Sequence, residues 1–271
     1  MKGDMIISGA GSLEGARFWS SDPARQSPRE GDLGAQPDWS LIFERPVDRL
    51  GRMDPLCRQV LAAAELTGLP LPPPGQERGD LALVLGTQFG CLAVDYDFEI
   101  SAREPGAASP LLFMYTLPSM ALGEVAIRHR ATGSNLCVMA GADSGLLALY
   151  EGLRLLNLGE ARAALVLAGD ALSPQTVALM NQTPETLCPP EPFAFALLLE
   201  KTGVQACGLP PLARVQSLEV SLGAPPARTP DARAHLAALM GLLAAREPGR
   251  ELTLPPPAAL PHSTGLGITR L

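Results

Sequence analysis

Unbroken apolar runs closed by glycine alternate along this chain with segments in which apolar residues recur at helical spacing. Met5-Ile-Ile-Ser-Gly-Ala-Gly11 reads as a short strand running into glycines, whereas residues 12–50 are polar and proline-bearing and read as loop with little regular structure. From Arg52 to Thr67 the positions Leu56, Val60, Leu61 and Leu66 mark one helix face, with Asp54-Pro55 as its start signal. Leu69-Pro-Leu-Pro-Pro-Pro-Gly75 ends that helix, since proline has no N–H to continue it. Asp80-Leu-Ala-Leu-Val-Leu-Gly86 is apolar without alternation, the pattern of a strand buried on both faces. Gly86-Thr-Gln-Phe-Gly90 is a glycine turn, residues 91–102 begin another helix, and Thr116 to Arg130 form a further helical segment.

A strand, a tight glycine turn and a long apolar helix follow between Gly133 and Asn157. Further strands are expected at Ala163 to Ala168, Phe193 to Leu199 and Ala213 to Val220. Residues 222–231 and 247–261 are rich in Pro, Ala and Gly, with a helix expected from Asp231 to Arg246 and a last short strand from Gly265 to Leu271. Buried strands alternating with amphipathic helices predict a layered α/β domain with helices on both faces of the sheet.

Composition narrows the function classes. At 271 residues the chain can bury a sizeable core, and 46% hydrophobic against 4% aromatic residues makes that core aliphatic. A net charge of −7 argues against a nucleic-acid partner, which needs clustered Lys and Arg, and equally against recognition of an acidic carrier protein by charge alone. Cys57, Cys91, Cys137, Cys188 and Cys207 have no CxxC spacing and read as free thiols of a reducing compartment. The N-terminal residues lack a signal-peptide run and no segment reaches the length of a membrane span, so a cytoplasmic protein is expected, with no membrane partner, cofactor or metal.

The 133–157 segment carries the candidate chemistry. Strand, turn and helix in this order place one turn residue at the positive end of a helix dipole, where a nucleophile is activated. That residue is Ala142, and a methyl group cannot be acylated. Gly141 and Gly145 permit the turn and close packing behind it. Asp143 has two readings, a carboxylate placed for chemistry or a cap accepting a backbone N–H of the helix. Cys137, five residues earlier in the apolar strand, reads as a small hydrophobe with a raised pKa.

Several of these stretches, in this order, resemble the β-ketoacyl synthases of the thiolase superfamily. Met5 to Gly11 resembles the family's first strand, and Gly51-Arg-Met-Asp54 its Arg-Met-Asp segment before the first long helix. Gly86-Thr-Gln-Phe-Gly-Cys-Leu92 resembles its Gly-Thr-Gly-x-Gly-Gly-Leu turn, and Leu117 to Arg128 its Leu-Pro-Asn-x-x-x-Gly-x-Val-Ala-Ile helix. Gly141-Ala142-Asp143-Ser144 resembles the active-site elbow, where the family has Ala-Cys-Ser-Ser or Gly-Cys-Ala-Ser. The resemblance implies a thiolase-like α-β-α fold on a mixed five-stranded central sheet with a truncated second half. It divides the chain into a ketosynthase N-terminal-like domain, 1–220, and a remnant of the second half, 221–271.

Active members also carry two histidines in their second half. Here His129, His235 and His262 sit in no family histidine motif and read as partly exposed or capping residues. A ketosynthase-like chain without the cysteine is similar to the chain length factors of type II polyketide synthases, short forms of which accompany highly reduced or polyene chains. Such a protein has no catalytic residue of its own. It forms a heterodimer with an active ketosynthase and meets the acyl carrier protein through that complex.

Carried over residue by residue, the resemblance assigns the partner-pairing strand to Asn135, Leu136, Cys137, Val138, Met139 and Ala140. It assigns the chain tunnel to Leu92, Asp95 and Glu99 at i, i+3 and i+7 on the helix after the glycine turn, with Tyr96 and Phe98 nearby. Acids at 95 and 99 depart from the bulky or neutral residues of aromatic-polyketide relatives. Either the register slips toward Tyr96 and Phe98, or the acids bond to the partner, or the helix shows water an acidic face. Two other functions stand beside the chain length factor: a cysteine-independent acyltransferase or malonyl-carrier decarboxylase, and a scaffold that only stabilises the ketosynthase.

Overall fold

The computed structural model describes residues 5–103, 108–141, 143–180, 191–204, 206–222, 251–254 and 262–270, with residues 216–222 and the last two stretches described by backbone pairing. The strands are β1 (Met5–Glu14), β2 (Arg17–Ser20), β3 (Glu30–Asp32), β4 (Leu81–Gly86), β5 (Asn135–Val138), β6 (Ala163–Asp170), β7 (Phe193–Lys201), β8 (Ala213–Leu222), β9 (Glu251–Leu254) and β10 (His262–Arg270). The helices are α1 (Pro55–Glu65), α2 (Leu92–Ala102), α3 (Pro110–Phe113), α4 (Met120–His129), α5 (Ser144–Leu158) and α6 (Pro174–Met180).

The strands join in one mixed sheet in the order β5-β4-β6-β7-β1-β8-β10-β9, with β2 and β3 added beside β1. β4 runs parallel to β5 and β6, and β7 is antiparallel to β6 and β1. The expected five-stranded core is present as β5-β4-β6-β7-β1, but the described sheet has ten strands. Part of the excess comes from residues 12–50, expected to be loop. β1 continues to Glu14 and pairs with β2, which pairs with β3. Those two strands are three or four residues long, and β3 is fully exposed, so neither alternates enough to register as apolar pattern. The last expected strand is β10, whereas the helix expected at 231–246 lies outside the described residues.

Both sheet faces are covered, which is why the central strands read as continuous apolar runs. On one face Leu81, Leu83, Leu85, Leu165 and Leu198 pack against α1 and α4 through Val60, Leu61, Leu122 and Val125. On the other, Ala82, Val84, Val166, Leu197 and Leu199 pack against Leu149, Leu153 and Leu156 of α5. Each fully buried Leu or Val adds about 1.5–3 kcal/mol.

Local signals set the helix ends. Asp54 accepts from Leu56 N at 2.8 Å and Cys57 N at 3.3 Å while Pro55 opens α1, as the Asp-Pro pair predicted. The helix expected from Thr116 starts later, at Met120, because Pro118 belongs to the turn before it.

Candidate functional site

β5 is the sheet's first strand and pairs with β4 alone among the described residues, Leu83 opposite Asn135 and Gly86 opposite Val138. The turn after it places Gly141 at φ +64°, a left-handed conformation that suits glycine. Ser144 closes this turn. Its Oγ accepts the Ala140 N–H at 2.9 Å and donates to the Gly141 carbonyl at 2.6 Å. Behind it the backbone of Gly86 lies so close to the Ser144 carbonyl that a Cβ at position 86 has no room. The end of β4 and the start of α5 are therefore locked together.

Asp143 occupies the cap position of α5, and its backbone carbonyl accepts Leu147 N at 2.9 Å. Its side chain is buried, 2% exposed, and makes no cap bond, so the expected capping role is corrected. The side-chain bonds that close the turn come from Ser144. Ala142 lies outside the described residues. Its identity leaves the turn without a thiol or hydroxyl at that position.

The edge strand is apolar and half-open. Leu136, Cys137 and Val138 are half-buried, Asn135 is exposed, and Met139 and Ala140 follow the strand's end as exposed residues. Burial pushes the Cys137 thiol up, away from the thiolate form. The apolar surface continues onto the segment from α3 to α4, where Phe113 and Leu117 are 62% and 60% exposed. Gly90 sits between Pro118 and Met139, which joins this segment to the end of β5.

On α2, Leu92, Asp95, Tyr96 and Phe98 are half-buried and Glu99 is exposed. Glu99 faces Arg103 one turn on, at 3.5 Å, in a solvated pair worth little. Asp95 accepts from the Cys91 thiol at 3.1 Å, within its own chain. Phe98 packs on Phe113 with ring centroids 5.5 Å apart. The opposite face of α2, Ala93 and Val94, borders a cavity of about 190 Å3 that also touches Asp54 and Tyr115.

A buried carboxylate that the sequence pattern did not single out governs the turn before α2. Asp170, at the end of β6 and 4% exposed, accepts from Thr87 Oγ1 at 2.6 Å, Gln88 N at 3.0 Å and Phe89 N at 2.8 Å. Burial raises its pKa, and these bonds oppose that rise. The available signal was an acid closing an apolar strand, together with a threonine in a glycine turn.

His129 is fully buried, contrary to the exposed or capping role expected, and burial together with Arg78 and Arg128 lowers its pKa to about 3. His235 lies outside the described residues. Among the described residues Cys57, Cys91, Cys137 and Cys207 are free, no cluster of His, Cys, Asp and Glu has metal-binding geometry, and no helix is long and apolar enough to cross a membrane.

The family model "Beta-ketoacyl synthase, N-terminal domain" matches residues 12–194. The chain belongs to the β-ketoacyl synthase family. Its fold is the thiolase-like ketosynthase fold, mixed α/β on a mixed sheet. A curated relative, 3-oxoacyl-[acyl-carrier-protein] synthase 2 of Rhizobium meliloti (strain 1021), is 27% identical over 128 residues, 45% of this chain and 30% of the relative. The chain thus matches less than a third of that relative's length.

The solved ishigamide ketosynthase/chain length factor superposes with a TM-score of 0.70 at 19% identity, over 99% of both chains. The ketosynthase ApeO in complex with its chain length factor ApeC from Xenorhabdus doucetiae gives a TM-score of 0.64 at 19% identity, over 98% of this chain and 99% of that one. AntDE:AntF, a type II polyketide synthase acyl carrier protein in complex with its ketosynthase, gives 0.74 at 12% identity, over 98% and 99%. At these identities the likeness is one of fold.

Proposed function

We propose that this chain is a non-catalytic chain length factor, the silent subunit of a heterodimer with an active ketosynthase. The observation that carries the reading is the elbow. Its strand, turn and helix are built and pinned by Ser144, while the sequence has Ala142 where the family holds its acyl-accepting cysteine. A covalent acyl-transfer route needs a nucleophile at that point, an oxyanion site and a proton-handling imidazole. Alanine supplies no nucleophile, and His129 is buried in the core.

What the elbow keeps is shape. Among the described residues β5 pairs on one side alone, which leaves an apolar edge of a kind soluble proteins rarely leave open, and Phe113, Leu117 and Met139 are further exposed apolar side chains. The reading takes Asn135 to Ala140 as the strand that pairs with the ketosynthase. It takes Leu92, Tyr96 and Phe98, with Asp95 beside them, as the α2 residues that meet the growing chain, leaving Glu99 on the solvated side. It takes 1–220 as the ketosynthase-like domain, 221–271 as a remnant of the second half, and the product as a highly reduced or polyene chain on an acyl carrier protein. The likeness in fold to solved ketosynthase and chain length factor complexes supports this role.

The test is co-expression with the ketosynthase encoded beside it, followed by sizing of the carrier-bound products. The expected result is a co-purifying heterodimer whose product length changes when Leu92 or Phe98 is resized. A stable lone monomer, with a ketosynthase that elongates normally in its absence, overturns the reading. Unchanged lengths in a stable heterodimer leave only a scaffold. Decarboxylation of malonyl-carrier protein by the isolated chain, abolished by Asp143→Ala, would instead establish the enzyme alternative.

A further inference from the structure

We infer that Asp170 is a positioning residue for product length, which it sets through the pose of α2; this rests on the chain length factor reading. The argument begins with how weakly α2 is held by its own packing. Of its eleven residues only Ala93 and Val94 are buried, both small. By contrast α5, on the far side of the sheet, buries Leu146, Leu149, Leu153 and Leu156. The rest of the packing of α2 is partial, with Leu92, Tyr96 and Phe98 half-buried and Phe98 against Phe113, whereas the turn at its N-terminal end is bonded to the core at several points.

Those bonds converge on Asp170. The Gln88 and Phe89 amides and the Thr87 hydroxyl all donate to its carboxylate, and the Gly90 amide donates to Thr87 Oγ1 at 2.9 Å. Three consecutive N–H groups are thus turned inward toward one buried anion and its hydroxyl partner. The Thr87 amide in turn donates to the Val138 carbonyl at 3.1 Å, which joins the clamp to the end of β5. At its other end the turn delivers Cys91, whose thiol lies 3.1 Å from both Asp95 Oδ2 and the Thr116 carbonyl. One connected path runs from the tip of β6 through 87–90 to Asp95 on α2.

A carboxylate suits this role because it only accepts. Asparagine has nearly the same shape, yet its amide must direct an NH2 group at one of these donors, so part of the clamp opens. Thr87→Val removes the hydroxyl at constant volume and cuts the path at a second point. Thr87→Ser keeps the hydroxyl and is the conservative control.

The experiment uses the heterodimer with its ketosynthase and reads the ratio of product lengths on the carrier protein by mass spectrometry. Asp170→Asn, Thr87→Val and Thr87→Ser are compared with Phe98→Ala. The ratio is the diagnostic quantity, because a purely structural loss lowers the yield of complex and leaves the ratio unmoved. The expected result is a several-fold change in ratio for Asp170→Asn and Thr87→Val, and the unsubstituted ratio for Thr87→Ser. If Phe98→Ala shifts the ratio and both clamp variants leave it unchanged, this inference is overturned and the gatekeeper reading stands. If Phe98→Ala leaves it unchanged as well, the gatekeeper reading itself fails. Should Asp170→Asn not assemble, the uncharged Thr87→Val change decides.

Discussion

Ser144 holds Gly141 in its left-handed turn: the hydroxyl donates to the Gly141 carbonyl at 2.6 Å and accepts the Ala140 amide at 2.9 Å. One side chain thus satisfies two backbone groups of the elbow. Ser144→Ala leaves both to find other partners in a site where residue 144 is 2% exposed. The expected loss is about 1–3 kcal/mol of unfolding free energy, read from urea denaturation. A change within about 0.5 kcal/mol would show that Gly141 and the close approach at Gly86 hold the turn without the hydroxyl.

The contact of α5 with the sheet depends on a missing methyl group. A Cβ added at Gly152 would overlap Val166 Cγ2 on β6, with Leu199 and Ala164 close by. Exposed mid-helix glycine normally gains about 1 kcal/mol on becoming alanine. Here overpacking reverses the sign, and Gly152→Ala is expected to cost about 1–3 kcal/mol. Val166→Ala on its own opens a void and also destabilises. The double variant fills that void with the new methyl, so a coupling energy of about 1 kcal/mol or more is expected from the cycle of denaturation midpoints. Additive losses would argue that α5 shifts away from β6 without resistance.

How legible was all this in the chain itself? The central strands were, because burial on both faces leaves no polar interruption in Leu81–Gly86 or in Ala163 to Ala168. The start of α1 was too, since Asp54-Pro55 is a local chemical signal that needs no tertiary partner. The hairpin of β2 and β3 was not, because it borrows its pairing from β1 and its loop is tied by arginines to backbone carbonyls: Arg25 to Leu41 and Ile42, Arg29 to Ser20 and Ser21. The burial of His129 was not legible either, because Arg-His-Arg reads as a polar helix end, whereas Arg128 reaches sideways to Glu65 and leaves the ring inside. At the site, the elbow's outline was visible but its fastening was not. Ser144 and Asp170 act on residues that only the fold brings beside them.

Arg128 supports a prediction of its own. Its guanidinium meets Glu65 with two bonds, 2.7 and 3.2 Å, and also donates to the Arg45 and Pro46 carbonyls at 3.0 and 3.3 Å, with its Cζ over the Phe43 ring at 5.9 Å from the centroid. Both side chains of the pair are 12% exposed. Removing one partner strands the other in a largely buried site, so Arg128→Ala is expected to cost about 3–5 kcal/mol. Lysine keeps the charge and loses the fork, so Arg128→Lys should recover less than half of that loss. Full recovery by lysine in the same denaturation assay would mean that charge alone, and not the planar geometry, joins α4 to α1.

Two buried groups make opposite contributions to the pH dependence of stability. Burial, with Arg78 and Arg128 nearby, lowers His129 from 6.5 to about 3. The unfolded chain therefore takes up a proton that the native state refuses, and stability falls as pH drops through this window, by about 1.4 kcal/mol per unit at most. Asp54 behaves in the reverse sense. Burial raises it from 3.8 to about 6, against the pull of the Cys57 and Leu56 amides and Arg58. The native state holds a proton that the unfolded chain has released, so stability rises as pH falls from about 6 toward 4. Over most of this range the two slopes cancel. Between about pH 7 and pH 5, His129→Leu should therefore gain roughly 2 kcal/mol relative to the unsubstituted protein, and Asp54→Asn should lose roughly 1 kcal/mol. Asparagine still caps α1, so the Asp54 variant tests titration and not the loss of a cap. Urea unfolding of the three proteins at the two pH values decides the matter. Parallel profiles for both variants would show that neither proton is linked to folding.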